Sequence, residues 1–166
     1  MAFAVPVRLI ALMLASSAPH LPKGTGWSYE VKRDGYRTLA LKNGARVTLL
    51  FRNLKDATKL YPSVARELAK LRAESVPLDG EIVAVDDEGR PSFQALHHQG
   101  AHTVVCHAFD LLHLDGRDLT ATPLDERRAL ARILDGSRLL RSEPLQGRFS
   151  KIDSPRLMGR YGTKKR

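Results

Sequence analysis

Apolar and polar residues alternate, or apolar residues run together, in five stretches of the chain that predict β-strands. These stretches are residues 27–33, 36–42, 45–51, 76–85 and 103–112. Asn43-Gly44 separates the second stretch from the third, and an Asn-Gly pair between two such runs predicts a tight β-hairpin. The last stretch is strongly apolar, which is typical of a strand in the core, and Asp115-Gly116 after it predicts a second turn.

Helical signals appear at three places between the predicted strands. Residues 60–74 carry apolar side chains at helical spacing, with Pro62 near the beginning. A short helix is predicted over residues 92–97. Residues 122–134 begin with a Thr-Pro pair and end before Gly136, and these are start and stop signals of a helix.

The mixture of strands and helices, joined by hairpin-type connections, predicts an α+β domain with antiparallel sheet. A chain of 166 residues forms one domain and buries a core without disulfides or metals. The single cysteine, Cys106, has no partner for an internal disulfide, which favours a reducing compartment, and it is expected to pack in the core.

The net charge of +9 is concentrated near the C-terminus. Residues 137–166 contain nine Lys or Arg and two Asp or Glu, and the rest of the chain is almost neutral. Such a segment indicates a polyanion partner such as nucleic acid, or else a solvated terminus. The apolar residues 1–15 lack the basic start of a signal peptide and are too few to span a membrane.

The sequence YEVKRDGYR at residues 29–37 places a lysine between two carboxylates. On a strand, Glu30, Lys32 and Asp34 would share one face. Gly35 follows directly and lets a backbone or a ligand come close. Taken alone, this arrangement is more often an ion-pair ladder on an edge strand.

Two further motifs lie at strand ends. LDGEIVA at residues 78–84 puts Glu81 at the start of an apolar strand, where a carboxylate needs a cation, a metal or a hydroxyl unless it faces solvent. FDLL at residues 109–112 puts Phe109 at the end of the apolar strand. Viewed singly, that aromatic ring is more often part of the core than a platform for a base.

Together the three motifs, K-x-D-G-x-R, D-G-E and F-D in that order, resemble the signature of the covalent nucleotidyltransferase superfamily. That superfamily contains ATP-dependent DNA ligases, RNA ligases and mRNA capping enzymes. Over residues 10–133 the chain is most similar to the ligase domain of bacterial DNA ligase D, with RPSFQAL at residues 90–96 and FDLLHLDG at residues 109–116 as supporting stretches. The resemblance implies an ATP-grasp-like adenylation domain of antiparallel sheets and flanking helices.

By this resemblance Lys32 is the nucleophile that attacks the α-phosphorus of ATP and holds AMP as a phosphoramidate. The attack needs a neutral amine, which lysine can supply and arginine cannot. The resemblance also implies that Glu30 selects adenine, that Phe109 stacks on it, and that Glu81 lies near the ribose and a catalytic Mg²⁺ (or Mn²⁺). The whole set of residues implied to surround the nucleotide is Glu30, Arg37, Arg52, Glu81, Phe109 and Lys151.

The match to the family weakens after residue 145. Gln146 stands where the family has a metal-binding glutamate, although Lys151 keeps the lysine of that motif. The fifth motif and the OB-fold domain are absent from the sequence. We therefore expect residues 1–145 to be a partial adenylation domain, incomplete at its C-terminal end, residues 146–166 to be a degenerate basic tail, and ligation to be weak or absent.

The implied partners are nicked or broken double-stranded DNA and a Ku-like end-joining protein in the bacterial cytosol or nucleoid, with no membrane. One alternative is a non-catalytic remnant that binds nucleotide or DNA, and another is an RNA ligase or capping guanylyltransferase. The cluster of His97, His98, His102, Cys106 and His107 matches no zinc motif. Arg127-Arg128 is expected to be an exposed pair on an amphipathic helix.

Overall fold

The computed structural model of the protein describes residues 12, 27–86, 88–97 and 103–145, with the side chain of residue 97 excepted. The strands are β1 Tyr36–Asn43, β2 Arg46–Phe51, β3 Ser75–Val85, β4 Thr103–Leu111, β5 His113–Leu114, β6 Arg117–Asp118 and β7 Leu139–Arg141. The helices are α1 Pro62–Ala69, α2 Phe93–His97 and α3 Leu124–Leu130, and a 3₁₀ turn, Ala131–Leu134, continues α3. The predicted basic tail, residues 146–166, and the N-terminal segment 1–11 lie outside the described residues.

Five strands form one sheet in the order β2-β1-β3-β4-β7. The pairs β1–β2, β1–β3 and β3–β4 are antiparallel, as the sequence predicts. The edge strand β7 runs parallel to β4, so the sheet is mixed rather than wholly antiparallel. The α+β architecture with flanking helices is confirmed.

The two faces of this sheet differ in chemistry, because successive side chains of a strand point to opposite sides. One face is the hydrophobic core, where Ala40, Leu78 and Ile82 pack with α1 through Val64 and Leu68. Cys106 belongs to the same core and is 1% exposed, as expected. The opposite face carries several polar and charged side chains of β1, β3 and β4, and we call it the site face; its members are Arg37, Asp79, Glu81, His107 and Asp110.

A β-bulge interrupts the pairing of β3 with β4. Asp79 pairs with Asp110 whereas the next residue, Gly80, pairs with Ala108, so Phe109 is the extra residue. The backbone of β4 comes so close here that a Cβ on Gly80 would lie 2.5 Å from the His107 carbonyl oxygen. Bulges redirect side chains and often lie beside binding sites.

Both short turns that the sequence predicts are present. β1 and β2 are joined at Gly44, whose positive φ of 56° suits glycine, and Asn43 pairs with Arg46 across the turn. Asp115 and Gly116 both have positive φ and join β5 to β6, as in a type I′ hairpin.

Two element predictions are wrong. Residues 27–33 form no strand, and β1 begins only at Tyr36. Alternation alone is not sufficient here, because the segment pairs with no strand among the described residues. It is held instead by scattered contacts, such as the backbone hydrogen bond from Leu145 to Tyr29 and the ion pair of Glu30 with Arg128. The helix expected over residues 60–74 ends at Ala69, where the N–H of Lys70 bonds the carbonyls of Glu67 and Leu68 in a tightened last turn.

No helix within the described residues is long and apolar enough to cross a bilayer.

Candidate functional site

The segment of residues 27–35 leads into β1 and carries the predicted nucleophile. Its Gly35 lies against β3, since a Cβ at that position would meet the Ile82 carbonyl oxygen at 2.2 Å. Only glycine allows this approach. Lys32 is three residues earlier, with its side chain 52% exposed and its Nζ 3.8 Å from Asp34 Oδ1.

Glu81 of β3 faces this segment. Its Oε1 accepts the backbone N–H of Gly35 at 2.8 Å, which fixes the carboxylate beside the chain that carries Lys32. Burial raises the pKa of Glu81, and the hydrogen bond from Gly35 and the positive charges of Lys32 and Arg37 oppose the rise. Lys32 and Glu81 are therefore within electrostatic reach of each other.

Arg37 of β1 connects two other predicted features. Its Nε and Nη2 donate to the two oxygens of Asp79 at 2.5 Å each, which is a bidentate ion pair. Burial raises the pKa of Asp79, and the contact with Arg37 opposes this. The guanidinium also lies 5.4 Å from the centre of the Phe109 ring, in cation–π range. Arg37 thus spans from β3 to the bulged residue of β4.

Glu30 is buried, at 4% exposure, and does not share the exposed surface of Lys32 and Asp34. The common face expected for these three residues required a strand, and residues 27–33 form none. Oε1 of Glu30 instead accepts a hydrogen bond from Nη2 of Arg128 on α3. Nη1 of Arg128 donates to the Ser28 hydroxyl at 2.9 Å.

The neighbouring Arg127 makes a second ion pair between α3 and the sheet. Its Nε and Nη2 donate to the two oxygens of Asp110 at 2.7 and 2.8 Å, and Nη1 donates to the carbonyl of Thr122. The side chains of Arg127 and Arg128 are only 11% and 16% exposed. The expectation of an exposed arginine pair is wrong, because each guanidinium is turned inward to a carboxylate.

Two predicted residues remain, Arg52 and Lys151. Arg52 follows β2 and is exposed; the register that pairs Thr38 with Phe51 puts it at the end of the sheet where Arg37 lies. Lys151, like Gln146, lies outside the described residues. The structure therefore brings together Lys32, Glu81, Arg37 and Phe109, with Glu30 held beside α3.

His107 pairs with Glu81 across β3 and β4, on the site face. It is 7% exposed, and burial together with the charge of Arg33 lowers its pKa to about 4. His107 Nδ1 and Arg33 Nε are both buried without a hydrogen-bond partner. The sequence analysis assigned no role to this neutral histidine, and its place opposite Glu81 follows only from the strand register.

No cluster of three or more His, Cys, Asp or Glu side chains that could hold a metal ion occurs within the described residues. His98 and His102 of the histidine-rich stretch lie outside them. On the site face a single carboxylate, Glu81, lies close to the predicted nucleophile. That donor set suits a cation whose other ligands are phosphate oxygens and water, as is usual for Mg²⁺.

Sequence reasoning missed Asp79, Asp110, Arg127 and Arg128 as members of this region. Asp79 and Asp110 belong to the D-G-E and F-D motifs themselves, so the motifs already indicated that both lie near the site, although neither was given a role. Arg128 pairs with a residue 98 positions away in sequence, and no local pattern indicates such a contact.

Chemically, the arrangement offers an amine near a half-buried carboxylate, an arginine and an aromatic ring at one end of a sheet. Such a set can bind a nucleotide by stacking and charge, and can place its phosphates near the amine. These are the elements of nucleophilic and electrostatic catalysis on a phosphoryl group.

Comparison with known proteins identifies the family of the chain. The family model described as ATP dependent DNA ligase domain matches residues 12–149. The multifunctional non-homologous end joining protein LigD of Pseudomonas aeruginosa is 39% identical over 152 residues, which are 89% of this chain and 18% of that protein. The multifunctional non-homologous end joining DNA repair protein LigD of Mycobacterium tuberculosis is 41% identical over 113 residues, covering 68% of this chain and 15% of that protein.

Two solved structures agree with the fold. The ligase domain from M. tuberculosis LigD superposes with a TM-score of 0.64 at 40% identity, covering 73% of this chain and 41% of that one. A mycobacterial DNA ligase D complexed with ATP and MES gives a TM-score of 0.62 at 37% identity, with the same coverage. The chain spans less than a fifth of these LigD proteins and 41% of the two solved chains.

Proposed function

Because the chain belongs to the ATP-dependent DNA ligase domain family, of the LigD type, we propose that it carries out the adenylation chemistry of such a ligase through Lys32. The observation that carries the proposal is the position of Lys32, which lies beside Glu81 at the end of the sheet where Arg37 and Phe109 also meet. A motif match alone would not require these residues to come together.

In the proposed first step, the neutral Nζ of Lys32 bonds to the α-phosphorus of ATP. The bond from that phosphorus to the bridging oxygen breaks, pyrophosphate leaves with the electron pair, and the amine proton goes to solvent. The product is a lysyl-AMP phosphoramidate. The exposure of Lys32, about half of its side chain, supports the proposal because a bound nucleotide can reach the amine without refolding of β1.

The surrounding residues have separate tasks in this proposal. Phe109 stacks on adenine, and Arg37, already over that ring, approaches the sugar or phosphates. Glu30 accepts a hydrogen bond from the base, and Glu81 lies near the ribose. Arg52 and Lys151 contact phosphates, as the family resemblance implies for positions 52 and 151.

Glu81 would also hold Mg²⁺ or Mn²⁺, and one carboxylate with phosphate oxygens and water is a sufficient ligand set for such an ion. When bound, the ion offsets negative charge on the phosphates. The hydrogen bond from Gly35 keeps the Glu81 carboxylate directed towards the segment of Lys32.

The subsequent steps would act on DNA. AMP would pass to the 5′-phosphate at a nick, and a 3′-hydroxyl would displace it to seal the strand. The related LigD proteins are named for non-homologous end joining, which supports broken or nicked duplex DNA as substrate and a Ku-like protein as partner.

The test is incubation of the protein with α-labelled ATP and Mg²⁺, followed by denaturing electrophoresis. Lys32→Ala should abolish a covalent label that the parent chain acquires. Lys59→Ala is the matched control, because Lys59 is an exposed lysine outside the site face and its loss should leave the label intact. Labelling that survives Lys32→Ala, or no labelling of the folded parent, would contradict the proposal.

A second candidate is a remnant that binds nucleotide or DNA without catalysis. The observation in its favour is Gln146, because glutamine lacks the charge of the metal-binding glutamate that the family has there. Salt-dependent binding of nicked DNA by a folded chain that takes up no label would favour this candidate. Preference for GTP over ATP as the labelled donor would instead indicate a capping-type enzyme.

A further inference from the structure

Two consecutive arginines of α3 bind two separate walls of the proposed nucleotide site. Arg128 binds Glu30 and the hydroxyl of Ser28 in the segment before β1. Arg127 binds both oxygens of Asp110, the residue directly after the bulged Phe109. One helix therefore ties the predicted base-reading carboxylate to the strand that bears the predicted stacking ring.

Four of these residues, but not Glu30 or Ser28, share a pocket. Phe109, Asp110, Arg127 and Arg128 line one cavity beside α3. The paired side chains are largely buried, so water competes poorly for their hydrogen bonds. In the low dielectric of the interior, the attraction between the opposite charges is also stronger than it would be on the surface.

One oxygen of Glu30 is left without a partner. Arg128 occupies Oε1, whereas Oε2 is buried and has no hydrogen-bond partner in the described part of the chain. An unsatisfied buried carboxylate oxygen is costly and stays available to a donor. The amino group of adenine is such a donor, whereas guanine has a carbonyl oxygen at the same ring position.

We propose that Arg128 is a positioning residue for base selection: it holds Glu30 so that the free Oε2 receives the amino group of adenine. Arg127 anchors the same helix to β4 and so fixes the distance between Glu30 and Phe109. This inference rests on the proposed function, and it adds a determinant of nucleotide specificity from outside the three sequence motifs.

Arginine is suited to this position for a geometric reason. Its planar guanidinium contacts Glu30 and Ser28 at once through two different nitrogens. Lysine would keep the charge but offers a single point of contact, so Arg128→Lys should hold Glu30 less firmly. Leucine would remove both the charge and the hydrogen bonds and leave the Glu30 carboxylate without its partner.

The experiment measures binding of α,β-methylene-ATP and α,β-methylene-GTP to the full chain by calorimetry, because these analogues bind without transferring a nucleotide. Arg128→Leu should weaken binding of the ATP analogue about tenfold or more, on the usual strength of charged hydrogen bonds, and reduce its advantage over the GTP analogue. Arg128→Lys should restore part of that advantage. Arg132→Leu, an exposed arginine of the following 3₁₀ turn, is the control and should change neither quantity.

A double-mutant cycle with Glu30→Gln separates positioning from general stability. If Arg128 acts through Glu30, Arg128→Leu should alter the ATP-to-GTP preference by less than about twofold once Glu30 is already Gln. Independent, additive effects on that preference would overturn the inference, as would an unchanged preference in folded Arg128→Leu. If Arg128→Leu does not fold, Arg128→Lys decides: a reduced preference supports the inference and full preference contradicts it.

Labelling with ATP, run beside the calorimetry, distinguishes this inference from the proposed function. A parent chain that prefers the ATP analogue but takes up no covalent label contradicts the adenylation step alone. A parent chain that binds neither analogue contradicts both.

Discussion

Most charged residues on and around the site face are paired with a residue of opposite charge. Arg37 with Asp79, Arg127 with Asp110 and Arg128 with Glu30 are each buried pairs. Loss of one member of such a pair leaves a buried charge alone, which costs more than the pair itself contributes. Lys32 differs, because among the described residues it forms an ion pair only with the exposed Asp34. The predicted nucleophile is thus among the least constrained charges of the region.

At the scale of single residues, the sequence predicted which residues belong to the site better than it predicted their burial and their contacts. Lys32, Glu81, Arg37 and Phe109 were all selected from motifs, and the structure brings them together, although their roles stay predictions. Arg128 was expected to be exposed. Its inward orientation depends on Glu30, and an ion pair across such a sequence separation depends on tertiary packing that no local pattern encodes.

His107 makes a testable contribution to stability against acid. Its pKa of about 4 in the folded chain lies below the ordinary 6.5, so the unfolded chain takes up a proton that the folded chain does not between these values. Stability should therefore fall as the pH drops from 6.5 towards 4, by about 2 to 3 kcal/mol for this residue. Urea unfolding at pH 7 and pH 4.5 measures the free energy.

The matched variant is His107→Gln, which has no titrating ring. It should lose less stability than the parent between the two pH values, and the difference isolates His107 from the carboxylates that titrate in the same range. Equal losses in parent and variant would show that His107 does not titrate as described.

Elements with strong local signals were predicted well. The hairpin of β1 and β2, the apolar strands β3 and β4 and the Asp115-Gly116 turn appear where the residues place them. β7 was not predicted, since it has three residues and is defined by its parallel pairing with β4. Tertiary pairing, rather than local propensity, decides such short strands.

The false strand at residues 27–33 has a physical explanation in its neighbours. Tyr29 accepts a backbone hydrogen bond from Leu145, and Glu30 is tied to α3, so the backbone is held by scattered contacts rather than a ladder. The sheet begins after Gly35, where the chain passes closely over Ile82.

Gly35→Ala tests that close approach. The new Cβ would lie 2.2 Å from the Ile82 carbonyl oxygen, and neither backbone can yield without moving Glu81. The substitution should lower the free energy of unfolding by about 2 to 3 kcal/mol, as for other overpacked positions, and should reduce adenylate labelling as well. Denaturant unfolding and the labelling assay measure the two effects.

Gly89→Ala is the comparison variant. Gly89 has a positive φ of 77° but nothing within 4 Å of an added Cβ, so only backbone strain of about 1 kcal/mol is expected, with labelling preserved. Equal destabilisation by the two substitutions would refute the claim that contact with β3 confines position 35 to glycine.

At the scale of the whole molecule, the distribution of charge indicates where the proposed DNA partner would bind. The net charge is +9, and the basic residues are concentrated after residue 137. Ion release on binding makes DNA affinity fall with salt, with a slope of about 0.9 for each phosphate contact. The family and the fold were predictable at this scale because three ordered motifs specify them together, whereas the mixed character of the sheet was not.

Replacement of Lys164, Lys165 and Arg166 by Ala should therefore flatten the salt dependence of nicked-duplex binding by about two units or more if all three contact phosphates. Replacement of Lys55, Lys59 and Arg72, which are exposed on the nearly neutral body, should change it little. Fluorescence anisotropy at several salt concentrations gives both slopes. The reverse order of effects would place the DNA contacts on the body of the domain.

The central claim is that Lys32 carries the adenylate, and peptide mass spectrometry tests it most directly. The chain is incubated with ATP and Mg²⁺, digested under conditions that preserve phosphoramidates, and searched for an AMP adduct. We expect the adduct on Lys32, and we expect added pyrophosphate to remove it by reversing the step. An adduct on another residue, or an unmodified Lys32 in folded protein that binds ATP, would contradict the account.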